Sequence, residues 1–302
     1  MYDVIIVGAG PAGMTAAIYL ARKKMKILLL TDELGGQTAK AATVENYPGY
    51  MSIRGSDLIA KMKEQVDTLG AENKILKVDK IVKKDGSFEV ISGEENFEGK
   101  SVIIAAGKTP RPLNVPGEKE YLGKGIGYCV TCDGPLFREK KVAVIGGGNS
   151  VLDAALEMEK YAAKVYIVNL NETFQGDEIR VDKVTASNKI EVLSQAKTVG
   201  FYGEDFLKGL KYQDLKTDEE KELAIDGAFI EIGWMPASDM AADLVKLNNI
   251  KEIEVDQNTT TSCEGVFAAG DVTNGLNKQI IIAAGQGAIA ALSAWKYVIT
   301  HK

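Results

Sequence analysis

The stretch Val4-Ile5-Ile6-Val7-Gly8-Ala9-Gly10-Pro11-Ala12-Gly13 decides the fold of this chain. Its apolar, β-branched half predicts a buried strand, and its glycine-rich half predicts a tight turn. The residues that follow predict a helix over 14–22 and a second parallel strand over 26–30. A strand, a glycine turn, a helix and a parallel strand together form a dinucleotide-binding unit.

Each glycine of this turn has a distinct physical purpose. Gly8 makes the tight turn, Gly10 lets the backbone approach a pyrophosphate, and Gly13 lets the helix pack on the strand. The free N–H groups of the helix N-terminus then face the phosphate charge. An acid is expected at the end of the second strand, where it would bind a ribose hydroxyl. Thr31 stands there instead, followed by Asp32 and Glu33, so either acid can serve or the ribose is held otherwise.

A second unit of the same kind begins at Lys141. Strand 142–145 leads into the turn Gly146-Gly147-Gly148-Asn149-Ser150-Val151, and a helix over 152–160 and a strand over 165–168 follow. The nucleotide-binding architecture therefore occurs twice. Residues 190–232 break into short strand-like runs and predict an antiparallel meander.

Composition sets limits on the class of protein. The chain has 302 residues, 45% hydrophobic and 26% charged, which predicts two globular domains. Its net charge of -6 argues against a nucleic-acid partner. The N-terminus lacks the basic region of a signal peptide. Residues 280–299 are apolar, but Gln286 and Lys296 interrupt them, so we interpret them as a buried helix and expect a cytoplasmic protein without a membrane partner.

The residues available for chemistry are few. The chain has one histidine, His301, and three cysteines, Cys129, Cys132 and Cys263. A histidine next to the terminus is a poor member of a Ser-His-Asp or Cys-His site, and a zinc site needs four ligands. The chemistry must therefore use an acquired cofactor, the Cys129-x-x-Cys132 pair, or both.

Seven motifs carry a family resemblance, and they occur in the family's order. They are Gly8 to Gly13, Gly35-Gly36-Gln37, Glu45-Asn46-Tyr47-Pro48-Gly49, Ala105-Ala106-Gly107, Cys129-Val130-Thr131-Cys132-Asp133, Gly146 to Ser150, and Gly265-Val266-Phe267-Ala268-Ala269-Gly270-Asp271. With them the chain resembles the low-molecular-weight thioredoxin reductase family over essentially its whole length. The resemblance implies an α/β fold of two Rossmann-like, three-layer ββα domains, the second inserted into the first. It also implies a homodimer.

The resemblance further implies the domain limits and the cofactor. An FAD-binding domain should comprise residues 1–113 and 236–302, and a pyridine-nucleotide-type domain with the redox cysteines should comprise residues 114–235. Many relatives have arginine where this chain has Lys278, a change that keeps the charge but loses bidentate geometry. The residues implied to contact FAD are Gly8, Gly10, Pro11, Ala12, Gly13, Asp32, Gly36, Gln37, Asn46, Val78, Gly107, Gly270, Asp271, Lys278, Gln279 and Ile280.

The same resemblance gives the two cysteines different tasks. Cys132 should face the flavin, and Cys129 should attack the disulfide of a thioredoxin-like acceptor and form a mixed disulfide. With no histidine nearby, Asp133 is the best candidate to move protons to and from the thiols. Asp133 could also, or instead, cap the helical turn that begins at Gly134. We interpret Cys263 as a small residue at a strand end.

The second glycine turn departs from the family pattern. Relatives that use NADPH have alanine or glycine where this chain has Val151, which should crowd the helix against the strand. They also hold the 2′-phosphate with a His-Arg-Arg-x-x-x-Arg segment. This chain has Asn169, Leu170, Asn171 and Gln175 there, and none of these is a cation. A 2′-phosphate would lose its charge-assisted contacts, and Asn169 is a weak substitute for the acid of an NADH site, although Glu172 lies three residues further on.

Several functions remain open at this point. Our preferred hypothesis is a flavin-dependent disulfide reductase with ferredoxin as electron donor, similar to the ferredoxin-dependent thioredoxin reductases that lack NADPH motifs. The alternatives are an NADH-linked reductase, similar to the flavoprotein component of alkyl hydroperoxide reductase, an altered NADPH site, and a non-enzymatic flavin redox sensor. Because ferredoxins are acidic, a docking surface should be basic, and residues 22–26 and 138–141 are the candidate runs.

Overall fold

The computed structural model describes residues 1–41, 44 and 46–301, without the side chains of residues 131 and 132. Two compact units divide the chain. Unit 1 is Met1–Thr109 with Met235–Lys302, and unit 2 is Pro110–Trp234. Unit 2 is therefore inserted between the two halves of unit 1. Two short strands, β7 (Lys108–Pro110) and β16 (Trp234–Pro236), pair with each other where the chain passes from one unit to the other.

Unit 1 contains a seven-stranded sheet with helices on one face. Its remaining strands are β1 (Tyr2–Ala9), β2 (Ile27–Leu34), β3 (Glu72–Ile75), β4 (Lys80–Lys83), β5 (Phe88–Ser92), β6 (Glu95–Ile104) and β17 (Val266–Ala268). Its helices are α1 (Pro11–Arg22), α2 (Gly36–Ala39), α3 (Gly55–Thr68) and α8 (Ile280–Thr300), with a 3₁₀ turn at Asp239–Ala241.

The sheet of unit 1 is parallel at its centre. The strand order is β3-β2-β1-β6-β5-β4, with β17 also paired to β6. Val4 and Ile6 point to the helices α1, α3 and α8, whereas Ile5 and Val7 pack into the core on the opposite face. This alternation of fully buried apolar side chains is what makes β1 a central strand covered on both faces.

Unit 2 has a five-stranded parallel sheet between a helix and an antiparallel sheet. Its strands are β8 (Ile126–Gly127), β9 (Lys141–Ile145), β10 (Lys164–Asn169), β11 (Ile190–Ser194), β12 (Ala196–Gly203), β13 (Leu207–Asp214), β14 (Glu219–Ala224) and β15 (Gly227–Ile230). Its helices are α4 (Glu118–Tyr121), α5 (Val130–Asp133), α6 (Asn149–Met158) and α7 (Glu178–Ala186), with a 3₁₀ turn at Gly134–Phe137. The parallel order is β11-β10-β9-β15-β8, and β12-β13-β14 form the antiparallel sheet.

The α/β fold with two Rossmann-like units is confirmed, and several element limits are corrected. Helix α1 begins at Pro11 rather than Met14, because proline fits the first helical position and Gly10 serves as N-cap. Helix α6 likewise begins at Asn149. The predicted meander is only part of residues 190–232, because β11 and β15 belong to the parallel sheet. Among the described residues, no helix is both long and apolar enough to cross a membrane.

Candidate functional site

One cavity of about 500 Å³ lies in unit 1 at the carboxyl ends of its parallel strands. It collects residues that are far apart in the sequence, and all the predicted cofactor contacts except Gly13 and Asn46 line it. These are Gly8, Gly10, Pro11, Ala12, Asp32, Gly36, Gln37, Val78, Gly107, Gly270, Asp271, Lys278, Gln279 and Ile280. Asn46 does not line the cavity, but its Nδ2 donates a hydrogen bond to Oε1 of the lining residue Gln279 at 3.1 Å. Glu45, from the same motif, lies outside the described residues.

The first glycine turn is built so tightly that side chains do not fit. Gly8 has φ +104°, and a Cβ there would lie 2.3 Å from the Ala105 carbonyl oxygen. A Cβ at Gly13 would lie 1.8 Å from the Gly8 carbonyl oxygen, which explains why Gly13 supports the turn without lining the cavity. At Gly10 the nearest protein atom to such a Cβ would be 4.0 Å away, so this glycine keeps the space of the cavity itself open.

Two helices present their N-termini to this cavity. Helix α1 has Pro11 at its first position, and helix α8 has Gln279 as N-cap. Neither N-cap makes a side-chain capping hydrogen bond, and neither first turn contains an acid. Free N–H groups and the helix dipole therefore favour an anion at both places. The helices pack closely because a Cβ at Gly287 would lie 2.1 Å from the Ala12 carbonyl oxygen.

The two acids after β2 have different surroundings. Glu33 Oε2 forms an ion pair with Lys40 Nζ at 2.8 Å, and the Glu33 carbonyl accepts a hydrogen bond from the Thr31 hydroxyl at 2.7 Å. Both acids line the cavity, and Asp32 is exposed. Because Glu33 is engaged with Lys40, Asp32 is the better placed of the two to accept a ribose hydroxyl.

Sequence reasoning missed part of the cavity wall. The missed residues include Leu30, Thr31, Lys77, Lys108 and Met240. Lys108 Nζ lies 3.3 Å from Asp271 Oδ2. Asp271, a predicted cofactor contact, is therefore held by Lys108, which the sequence does not predict as a contact. Lys108 directly follows Gly107, and this adjacency was the one signal that could have identified it. Met240 lies in a separate 3₁₀ turn, and no local pattern marks it.

These features fit FAD. The glycine turn and the N-terminus of α1 can hold its pyrophosphate, and Asp32 a ribose of the dinucleotide. The segments that end at Gly107 and Asp271, with the start of α8, leave room for the rest of the cofactor. The described residues contain no cluster of His, Cys, Asp and Glu that could hold a metal ion.

Cys129 of unit 2 directly follows Tyr128, which belongs to a buried polar network. Cys129 forms a disulfide, whereas Cys263 of unit 1 is a buried free thiol. The side chain of Cys132 lies outside the described residues. Tyr128, next to Cys129, donates its hydroxyl to Glu118 Oε1 at 2.7 Å. Burial and Glu118 raise the pKa of Tyr128. Glu118 is only 3% exposed and also accepts the backbone N–H groups of Leu113 and Asn114.

Asp133 does not cap the helical turn that follows it. Its side chain makes no capping hydrogen bond with the 3₁₀ turn. Its Oδ2 instead faces Gly127 of β8, 3.1 Å from the place where a Cβ of that glycine would lie. Burial raises the pKa of Asp133 above the usual value of an aspartate. A carboxyl with a raised pKa holds its proton more readily than an ordinary aspartate, which suits a group that exchanges protons.

The second glycine turn accommodates Val151, contrary to the expected crowding. Val151 is fully buried in the core around α6, and a Cβ at Gly146 would lie 2.6 Å from its Cγ2. The absence of a side chain at Gly146 is therefore what makes room for valine. The packing of α6 against the sheet therefore does not exclude a nucleotide from unit 2. Whether unit 2 can bind NADPH depends on the residues after β10.

The polar side chains at and near the end of β10 are paired with other groups of the protein. Asn169 is fully buried. Its Oδ1 accepts the Asn171 N–H at 3.0 Å, and its Nδ2 donates to the Thr173 carbonyl at 3.2 Å. The nearby cation Arg180 pairs with both Asp153 and Asp177. Among the described residues at this strand end, the side chains thus offer no uncommitted cation to a 2′-phosphate.

Glu231 gives this region a measurable pH dependence. It directly follows β15, and burial raises its pKa to about 7. An unfolded glutamate has a pKa near 4.3. Between these values the folded state binds more protons than the unfolded state, so stability falls as pH rises.

We therefore expect Glu231→Gln to remove part of that loss. The variant should match the wild type below about pH 4 and exceed it above pH 8 by on the order of 1–3 kcal/mol. Chemical denaturation across this pH range measures the difference. Glu172→Gln, at an exposed site, is the control and should follow the wild-type profile. Parallel curves for wild type and Glu231→Gln would contradict the prediction.

Comparisons with known proteins agree with this geometry. A family model described as pyridine nucleotide-disulphide oxidoreductase matches residues 2–287. An alkyl hydroperoxide reductase component of Staphylococcus aureus is 39% identical over 302 residues, which cover 99% of this chain and 60% of that protein. The chain thus spans about 60% of the length of the curated relatives it matches.

Solved structures match over the full length. Thioredoxin reductase of Lactococcus lactis is 38% identical, with a TM-score of 0.82 over 99% of this chain and 100% of that one. A ferredoxin-flavin thioredoxin reductase of Clostridium acetobutylicum is 33% identical, with a TM-score of 0.56 over 99% and 98% of the two chains.

Proposed function

The chain belongs to the pyridine nucleotide-disulphide oxidoreductase family and is a flavin-dependent disulfide oxidoreductase, and from that premise we propose a more specific function. It is an FAD-dependent thioredoxin reductase of the cytoplasm that takes electrons from a reduced ferredoxin rather than from NADPH. Its redox disulfide is Cys129–Cys132, and its acceptor is a thioredoxin-like protein. The match with the ferredoxin-flavin enzyme supports this proposal.

The choice of donor rests on the polar side chains after β10, which already have partners within the protein. Selective binding of NADPH needs cations at its 2′-phosphate, because an unpaired phosphate forfeits charge-assisted hydrogen bonds. The Asn169 amide is hydrogen-bonded to Asn171 and Thr173, and the Arg180 guanidinium is paired with two aspartates. Binding of NADPH would have to break these pairs, which favours a donor that does not use this site.

The residues of the chain account for the thiol chemistry. FAD, when bound, supplies a centre that can accept electrons singly and deliver them in pairs to a disulfide. Once reduced, the Cys129 thiolate attacks one sulfur of the acceptor disulfide, and the other acceptor sulfur leaves as a thiolate. The Cys132 thiolate then attacks the Cys129 sulfur, which re-forms the disulfide and releases the dithiol acceptor. Asp133, with its raised pKa, is the group proposed to exchange protons with these thiols.

The basic run 22–26 is a weaker docking candidate than its sequence indicates. Arg22 ends α1, whose first residue, Pro11, lines the cavity. Twelve helical residues at 1.5 Å each separate the run from the cavity by about 18 Å. Lys23 also stacks on the Trp295 ring at 3.7 Å. An acidic donor bound there would lie about a full helix length from Pro11, so this run is not our preferred docking surface.

Anaerobic mixing tests the donor directly. The FAD-loaded protein is mixed separately with reduced ferredoxin, NADH and NADPH, and flavin absorbance is followed. We expect fast bleaching with ferredoxin and little with either nucleotide. Rapid bleaching by micromolar NADPH would overturn the ferredoxin proposal. Steady turnover with a thioredoxin would in addition exclude a non-enzymatic flavin sensor.

An NADH-linked reductase is the second candidate. The 39% identity to the alkyl hydroperoxide reductase component supports it. The acid that could bind the ribose of NADH is Glu172, which is exposed and three residues beyond Asn169. The same mixing experiment separates the candidates, since bleaching by NADH with no response to ferredoxin would favour this one.

We also propose that the protein is a homodimer, on the basis of an apolar face of α8. Ile282, Ile289, Leu292 and Ile299 are 36–43% exposed and recur at helical spacing along one face. The paired substitution Ile289→Glu and Leu292→Glu should convert the dimer to a monomer in sedimentation experiments. Leu215→Glu, at a 44% exposed leucine of unit 2, is the matched control and should leave the mass unchanged. A wild-type monomer would refute the proposal.

A further inference from the structure

Lys278, a predicted cofactor contact, is held by a partner that does not line the cavity. Its Nζ lies 2.8 Å from Glu252 Oε1 and also donates to the Thr273 carbonyl. The Lys278 and Glu252 side chains are only 21% and 14% exposed. Lys278 lines the cavity, whereas Glu252 is not among its lining residues. The cavity-lining residue Lys278 is therefore the cation of a sheltered ion pair.

Glu252 is itself fixed by a second residue. Asn248 Nδ2 donates to Glu252 Oε2 at 2.8 Å, and the Asn248 Oδ1 accepts the Glu252 N–H at 2.9 Å. Ile253, the next residue, donates its N–H to the Val272 carbonyl at 2.9 Å. Both carboxylate oxygens thus have partners, and the backbone of the next residue is hydrogen-bonded to the segment that precedes Lys278. These hydrogen bonds fix the position of Glu252 and so of the ion pair.

The position of Lys278 relates it to the flavin half of FAD. The glycine turn of α1 and the acids after β2 account for the ADP half. Lys278, just before α8, and the Lys108–Asp271 pair belong to the part of the cavity wall outside those segments. The charged residues Lys278, Lys108 and Asp271 of this wall are all engaged in ion pairs.

We propose that Glu252 is a positioning residue that sets the charge this wall presents to the flavin, an inference that rests on FAD binding in this cavity. By neutralising Lys278, Glu252 keeps a sheltered cation from stabilising the electron-rich reduced flavin. Coulomb interactions are strong in such a poorly solvated place, so one uncompensated charge changes the reduction equilibrium measurably. The pair thereby keeps the flavin a stronger reductant than a lone Lys278 would allow.

The flavin midpoint potential tests this inference in the FAD-loaded full-length protein. Dye-mediated anaerobic titration at pH 8 compares Glu252→Gln, Lys278→Gln and the double variant with the wild type. Glu252→Gln should shift the equilibrium about tenfold toward reduced flavin, which for two electrons is about 30 mV more positive. Lys278→Gln should shift the potential in the negative direction, and the double variant should return close to the wild-type value.

The control is a neighbouring ion pair that is open to solvent. Glu254 pairs with Lys246 at 2.8 Å, and the Lys246 side chain is 69% exposed. Glu254→Gln makes the same charge change two residues away and should leave the potential at its wild-type value. Wild-type potentials in both single variants with full flavin content would overturn the inference. If Glu252→Gln does not bind FAD, the Lys278→Gln variant alone provides the test. An unchanged potential in Lys278→Gln would then overturn the inference.

This experiment is independent of the choice of donor. The potential is measured with a chemical reductant, so it does not depend on whether ferredoxin or a nucleotide reduces the flavin. Bleaching by NADPH would end the ferredoxin proposal and leave the role of Glu252 intact. Conversely, insensitivity of the potential to these substitutions would end the inference without affecting the donor proposal.

Discussion

Replacing Cys129 with serine is expected to reduce turnover with a thioredoxin-like acceptor by at least about 10³-fold, because a hydroxyl can neither attack a disulfide at a useful rate nor form one. FAD binding should stay at the wild-type level, since Cys129 lies in unit 2 and the cavity in unit 1. Steady-state reduction of the acceptor, with flavin content measured beside it, checks both expectations.

Cys263→Ser is the matched control for this substitution. Cys263 is a free thiol, only 8% exposed, and burial raises its pKa. A neutral, enclosed thiol is a poor nucleophile, so the control should retain full turnover. Substantial turnover of Cys129→Ser together with loss in Cys263→Ser would reverse the assignment.

Cys132→Ser distinguishes the proposed roles of Cys129 and Cys132. It leaves the Cys129 thiolate without a resolving thiol, so a mixed disulfide with the acceptor should accumulate. Cys129→Ser should trap little, because its remaining thiol is expected to face the cofactor. Non-reducing electrophoresis after incubation with acceptor reads the difference. Stronger trapping by Cys129→Ser would show that the order of the cysteines is the opposite of the one proposed.

The local features of this fold could be read from the sequence because adjacent residues create them. The apolar run Val4–Val7 and the glycine turn predict β1 and α1, and the position of the turn at the carboxyl end of β1 follows from the order of strand, turn and helix. The helix start was misplaced because Pro11 looks like part of the turn, although it fits the first helical position. Val151 was misjudged because the free space that it occupies is made by another residue, Gly146.

The partners that fix charged and polar groups could not be read from the sequence. Glu252 and Lys278 are separated along the chain by β17, and Asn46 reaches Gln279 from the other half of unit 1. Such pairs depend on how the sheet brings distant loops together, and no periodicity encodes them. The absence of cations at 169–175 follows directly from the sequence, whereas the pairing of Arg180 with Asp153 and Asp177 depends on the fold.

Replacing Gly13 with alanine is expected to disrupt the cavity from within. The added Cβ would lie 1.8 Å from the Gly8 carbonyl oxygen and 3.4 Å from the Ala105 Cβ. The first of these is a backbone atom that cannot move without opening the turn. The cost should be about 3 kcal/mol or more of stability even without FAD. Thermal unfolding of the FAD-free protein measures the loss, and FAD binding should fail as well.

Gly10→Ala separates the binding of the cofactor from the stability of the turn. Its Cβ would meet no protein atom closer than the Gly35 carbonyl oxygen at 4.0 Å, and its φ of -80° suits alanine. The FAD-free variant should therefore unfold like the wild type. The new methyl group nevertheless stands where a pyrophosphate must approach the backbone. We expect FAD affinity to fall by about 100-fold, or about 2.8 kcal/mol, in a fluorescence titration. Wild-type FAD affinity in Gly10→Ala would mean that the pyrophosphate does not lie against this turn.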